Sequence, residues 1–202
     1  MKKEKKAKSY VVKNVSNNIS LPKLLYLHGL DGSLSQEKRD VLERHFSVIA
    51  PQLDYRNTPD IFRQLSKLVI KTKPETIIGN SMGGCLAYYL AIKHQLPALC
   101  FNPAFVYRPI EIQLPDLETG NNPIVFVIGG RDVIVPAARN FAWIRLNANP
   151  NFVLKWYNNI GHRIDVETFA KEIELFRNSF FQKKLTSDIA WQRCPLLLPQ
   201  ID

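Results

Sequence analysis

The 202-residue chain has three cysteines, four histidines and no long apolar run, and each shortage excludes something. Cys85, Cys100 and Cys194 are odd in number and none are paired at metal-ligand spacing, so neither a disulfide framework nor a zinc site is expected. Cys85 and Cys100 lie within apolar runs and read as buried free thiols. No stretch approaches a membrane span, and the charged N-terminus lacks the apolar core of a secretory signal. A cytoplasmic location without a membrane partner is the resulting expectation. No internal repeat is present, and the only biased segment is a lysine-rich start.

That start carries much of the charge. The net charge is +9, and residues 1–10 hold five lysines against one glutamate. The remaining excess is spread over the body, with no Lys/Arg stripe and no interleaved aromatics, so nucleic acid is not an expected partner. A hydrophobic content of 46% with 22% charged residues is ordinary for a globular protein, and the length suits one domain with a sizeable core.

Apolar runs at 23–28, 48–51, 76–78, 98–101, 124–128 and 152–156 predict strands. Their near-continuous hydrophobicity predicts coverage on both faces, as in a parallel sheet. Residues 11–15 are a further candidate edge strand. Between the runs lie helical patterns. Thr58 is placed as an N-cap with Pro59 at the first helical position, and Ile61, Leu65 and Leu68 form the stripe behind it. Pro136 opens another helix, and Asp165 caps the last, whose Phe169, Ile173, Phe176 and Phe180 repeat at helical spacing. The stretch 85–92 is apolar on nearly every side, which suits a helix lying centrally on the sheet. The pattern predicts a minimal α/β fold, a mostly parallel sheet of about six strands with helices on both faces. The organisation read from it is a tail at 1–20, one domain at 21–182, and a segment at 183–202. Trp191 and Leu196–Leu198 leave that last segment open to three readings: packed on the domain, at an interface, or over a site.

The strongest chemical signal is Gly79-Asn80-Ser81-Met82-Gly83, between an apolar strand and a helix. A G-x-S-x-G in that context reads as a nucleophile elbow, where the serine occupies a strained turn and larger flanking residues would collide. A serine hydroxyl needs a base, itself oriented by an acid. In the α/β-hydrolase order these follow as nucleophile, acid, base. His162 is the one histidine after Ser81 outside a helix interior, and Asp132 follows a late strand. Asp165 competes for the acid but is explained as a helix cap; Asp116 and Glu118 have no strand leading into them. The backbone N–H groups of Met82 and of Leu30, in His28-Gly29-Leu30, are the candidate oxyanion donors. His28 is assigned to holding its own loop.

Four segments also carry a family likeness: Tyr26-Leu27-His28-Gly29, Pro51-Gln52-Leu53, Ile78 to Gly84, and Phe101-Asn102-Pro103-Ala104. Together they resemble the YqiA-like esterases, a group of small bacterial α/β-hydrolases, over about Leu24 to Phe181. The elbow departs from that group at Asn80 and Met82, where serine and leucine are usual. The resemblance implies carboxylesterase activity without a metal or organic cofactor, with the roles falling on Ser81, Asp132 and His162.

Between the fourth and fifth strands only residues 104–122 are available, too few for a large lid. An open, shallow site and a small-molecule ester or thioester substrate with a small acyl group are expected. Phe105 and Tyr107, with Val106, Ile110 and Leu30, are candidates for its apolar wall, or else cap the sheet edge. Two other functions stay open at this level: an inactive binding or scaffold protein, and an amide or C–C bond hydrolase using the same triad.

Overall fold

The computed structural model describes residues 20–116, 120–148 and 150–181. The candidate strand at 11–15, the lysine-rich start, Cys194 and the segment at 183–202 lie outside the described residues. In chain order the elements are β1 (Lys23–Leu27), α1 (Gln36–Glu43), β2 (Ser47–Ile49), α2 (Ile61–Thr72), β3 (Thr76–Asn80), α3 (Met82–His94), β4 (Ala98–Phe101), β5 (Ile124–Gly129), α4 (Ala137–Asn147), β6 (Phe152–Tyr157) and α5 (Val166–Phe180). The six strands form one parallel sheet in the order β2-β1-β3-β4-β5-β6.

Strand residues alternate between two buried layers because successive side chains leave a strand on opposite faces. Leu25, Leu27, Ile77, Cys100 and Phe126 pack with α2, α3 and α4 on one face. Leu24, Tyr26, Ile78, Phe101 and Val127 pack with α1 and α5 on the other. Both faces being covered is why the strand sequences read as continuous apolar runs rather than as alternation. Helix α3 is buried almost all round, against β3, β4, β1 and α2, as its composition required. Cys85 and Cys100 are buried free thiols, and burial pushes the Cys85 thiol up to about 12. No helix among the described residues is long and apolar enough to cross a membrane.

Of the element boundaries that differ from expectation, two shape the chain beside β1. Strand β2 stops at Ile49, before Pro51, and the chain leaves the sheet to cross toward the loop after β1. Thr58 does not cap α2. Its carbonyl accepts the Ile61 N–H at 3.1 Å, so Thr58 to Ile61 forms a turn, and Asp60 is the residue at the N-cap. Proline suits the second position of such a turn as well as it suits a first helical turn, which is why composition did not separate the two.

Strand order reverses beside β1: the chain steps outward to β2 and then crosses back to β3. The loops after β1 and β3 therefore diverge and leave a crevice beyond the strands' C-terminal ends, the usual binding position in open α/β sheets. Both loops carry residues singled out above.

Candidate active site

Ser81 stands at the turn from β3 into α3 with φ 55° and ψ −119°, a conformation a non-glycine residue rarely adopts. Three hydrogen bonds pin it there. Its N–H donates to the Phe101 carbonyl at 2.9 Å, and its own carbonyl accepts from the N–H groups of Cys85 and Ala104, both at 3.0 Å. The turn also needs its glycines by close approach. A Cβ on Gly79 would lie 2.1 Å from the Gly83 carbonyl oxygen, and one on Gly83 would lie 2.1 Å from that of Leu27. Larger residues at either position would push α3 off the sheet.

The Ser81 hydroxyl is 2.9 Å from Nε2 of His162, whose Nδ1 is 2.7 Å from Oδ2 of Asp132. The other carboxyl oxygen of Asp132 accepts the N–H groups of Ile134 and Val135, each at 2.9 Å. The Asp132 side chain is 1% exposed and that of His162 19%, so the acid is sealed inside while the histidine keeps contact with the cavity. With a proton on Nδ1 directed at Asp132, Nε2 keeps a lone pair for the serine proton. Asp165 is elsewhere. It caps α5, accepting the Thr168 N–H at 2.7 Å and its hydroxyl at 3.0 Å, and these bonds hold its carboxyl below the usual range. His94 pairs with Ser66 at 2.9 Å between α3 and α2.

A cavity of about 590 Å3 opens over Ser81 and His162, with Leu30, Met82, Tyr107 and Ile134 among its lining. As the first residue of α3, Met82 has a backbone N–H with no acceptor inside the helix. Leu30 lies across from it, on a loop brought so near that a Cβ on Gly29 would sit 3.1 Å from the Cβ of Ser81. Of the expected apolar wall, Tyr107 lines the cavity and is half exposed. Phe105 does not, and that expectation is corrected. Its ring stacks on Trp143 at 4.0 Å and meets Tyr88 and Phe126, because burying it in an aromatic cluster removes more of its surface from water than the open cavity could. Pro109, Ile134 and Val135 stand in the wall instead.

Sequence reading assigned His28 to holding the Leu30 loop but missed the partners that brace it, Gln52, Leu53 and Tyr55. His28 is buried, and its Nε2 accepts the Leu53 N–H at 2.9 Å. A backbone N–H only donates, so the ring proton is on Nδ1, which lies 2.7 Å from the Gly29 carbonyl. Tyr55 donates its hydroxyl to the His28 carbonyl, and Gln52 donates to that of Gly32 at 3.1 Å. The Pro51-Gln52-Leu53 stretch thus holds the loop from beneath. The signal was in plain view, since Gln52 and Leu53 belong to the family-like segments, but nothing local told what they would touch. Tyr55→Phe removes a buried donor and leaves a carbonyl unpaired. It is expected to cost about 1–2 kcal/mol, or about 3–6 °C in Tm by calorimetry for a chain of this size.

A sequence model of the uncharacterised protein family UPF0227 matches residues 23–125. The chain belongs to that family. Among curated proteins, the carboxymethylenebutenolidase of Pseudomonas putida is 30% identical over 87 residues, which are 43% of this chain and 36% of that protein. The match thus takes in little more than a third of that relative's length. Solved structures of similar fold include Est1E from Butyrivibrio proteoclasticus with ferulic acid bound, with TM-score 0.65 and 14% identity, covering 83% of this chain and 93% of that one. A putative hydrolase of the α/β superfamily from Xanthomonas campestris gives 0.59 at 18% identity, covering 79% and 99%. The Bacillus cereus carboxylesterase gives 0.55 at 20%, covering 79% and 89%. The fold is that of a minimal α/β hydrolase, in line with the YqiA-like resemblance.

Proposed function

We propose that the protein is a serine hydrolase of carboxylic esters or thioesters with small acyl groups, working through Ser81, His162 and Asp132. The observation that carries this is the unbroken line from the Ser81 hydroxyl through His162 to Asp132 at 2.9 and 2.7 Å, ending on a strained serine at a cavity wall. In the first step the Ser81 Oγ attacks the substrate's carbonyl carbon while Nε2 of His162 takes its proton. The negative charge that develops on the carbonyl oxygen is met by the Met82 and Leu30 N–H groups. His162 then returns the proton to the leaving alcohol or thiol, and the acyl group stays on Ser81. Water, deprotonated by the same nitrogen, attacks the acyl carbon, and the acid leaves as Ser81 recovers its proton. No step draws on a metal or organic cofactor.

A scaffold role would require none of these three side chains to be in register, and the register is close. Labelling with a fluorophosphonate probe separates the readings: a hydrolase is labelled on Ser81, and a protein with no label anywhere would be the scaffold.

The acyl preference follows from the cavity's form. The connection from β4 to β5 contains no helix or strand among its described residues, and it adds only a wall through Ala104, Tyr107 and Pro109. Each methylene buried is worth about 0.8 kcal/mol, so an enclosed tunnel would make activity climb steadily with chain length. Here kcat/KM across p-nitrophenyl esters is expected to rise over the first few carbons and flatten or fall beyond about C6. A rise continuing past C10 would replace the open site with a covered one.

A further inference from the structure

Asn102 follows β4, is fully buried, and takes no part in the steps above. Its φ is 40°, in the left-handed region that asparagine tolerates better than most residues. Every hydrogen-bonding group on its side chain is used. Oδ1 accepts the Gly129 N–H at 2.7 Å, and Nδ2 donates to the carbonyls of Gly161 and His162 at 2.9 and 3.0 Å. Its own N–H donates to Val127 at 2.8 Å, which anchors it to β5.

These bonds meet where two loops adjoin. Gly129 ends β5 and leads to Asp132, while Gly161 leads to His162. The loops touch so closely that a Cβ on Gly129 would lie 2.5 Å from the Gly161 carbonyl oxygen. Two further bonds cross between them, Arg131 N–H to Ile160 and Gly130 N–H to Tyr157, at 2.9 and 2.8 Å. Asn102 is the side chain that grips both loops from a third element, and β4 and its following turn also hold the Ser81 backbone through Phe101 and Ala104.

We infer that Asn102 is a positioning residue, setting the His162 backbone relative to both Asp132 and Ser81. This inference rests on the hydrolase reading for its kinetic consequence, but not for its structural one. Displacing a reacting group by an ångström can cost about 10²-fold in rate, and a buried network loses more than one bond when one member is removed.

The test uses two variants with different side effects. Asn102→Asp keeps the shape, the tolerance for positive φ and the acceptor for Gly129, and replaces the two donations to the histidine loop with a buried carboxyl oxygen facing both carbonyls. Asn102→Gly suits the backbone and adds no charge. Both are expected to lower kcat on p-nitrophenyl acetate about 10²-fold with KM within about twofold. In a His162→Ala background either substitution is expected to change the residual rate by less than about twofold, because no histidine remains to be positioned. A second readout is the low-field proton resonance of the His162 Nδ1–H facing Asp132, expected to shift or broaden in both variants. That resonance does not depend on turnover, so it reports on the clamp even if Ser81→Ala showed the hydrolase reading to be wrong. The inference is overturned if the resonance is unmoved, or if the residual rate without His162 falls by the same factor as the full activity.

Discussion

The Ser81→Ala variant is expected to hydrolyse p-nitrophenyl acetate about 10⁴–10⁶-fold more slowly than the parent chain while folding normally. Without the hydroxyl no acyl-enzyme forms, and the remaining rate is what the backbone donors and the cavity supply to an attacking water. His162→Ala is expected to cost a similar amount, because the hydroxyl is then left without a base. The double variant should lose little more than either single one, since groups that act as a unit are not additive. Comparing kcat/KM for the four proteins, with Tm as a check on folding, tests the whole scheme. Wild-type turnover in Ser81→Ala would refute it.

Asp132→Asn is expected to lower kcat by about 10⁴-fold with little loss of stability. An amide fits the same space and its oxygen can still accept from Ile134 and Val135. Its nitrogen, however, faces Nδ1 of His162 and favours a lone pair there, which moves the ring proton to Nε2, where Ser81 needs an acceptor. Asp165→Asn is the matched control, because asparagine caps a helix about as well as aspartate, and its activity should stay within about twofold of the parent. A large loss at Asp165 with none at Asp132 would reverse the assignment of the acid.

How much of this was legible depends on how far apart in the chain the interacting residues lie. The layers were readable because strand and helix periods are local: Leu24 and Leu25 alternate faces, and Phe169, Ile173 and Phe176 recur on one side of α5. The elbow was readable because Gly79, Ser81 and Gly83 crowd one another within five residues. Asp165 was readable as a cap because it stands directly before the amphipathic helix α5, and the N–H it accepts, that of Thr168, is three residues away. The candidates for acid and base could be named because the order of strands and loops restricts which side chains reach the sheet's C-terminal edge.

Long-range partners had no such signature. The Leu53 N–H meets His28 across 25 residues, and Asn102 meets the histidine loop across 59 and 60. A buried asparagine or tyrosine must find a partner, but which carbonyl it finds is decided only when the sheet brings together the loops after β1, β2, β4 and β6. The face that Phe105 takes was undetermined for the same reason, since an aromatic after a strand suits either a cavity wall or a core, and Trp143, on α4, decided it. By itself the sequence determined the layered parallel sheet, the strained serine turn and the residue types gathered at its edge, because these follow from neighbours in the chain. Only the tertiary structure decided the hydrogen bonds that hold those residues in register, because the donors and acceptors come from separate strands that meet through packing.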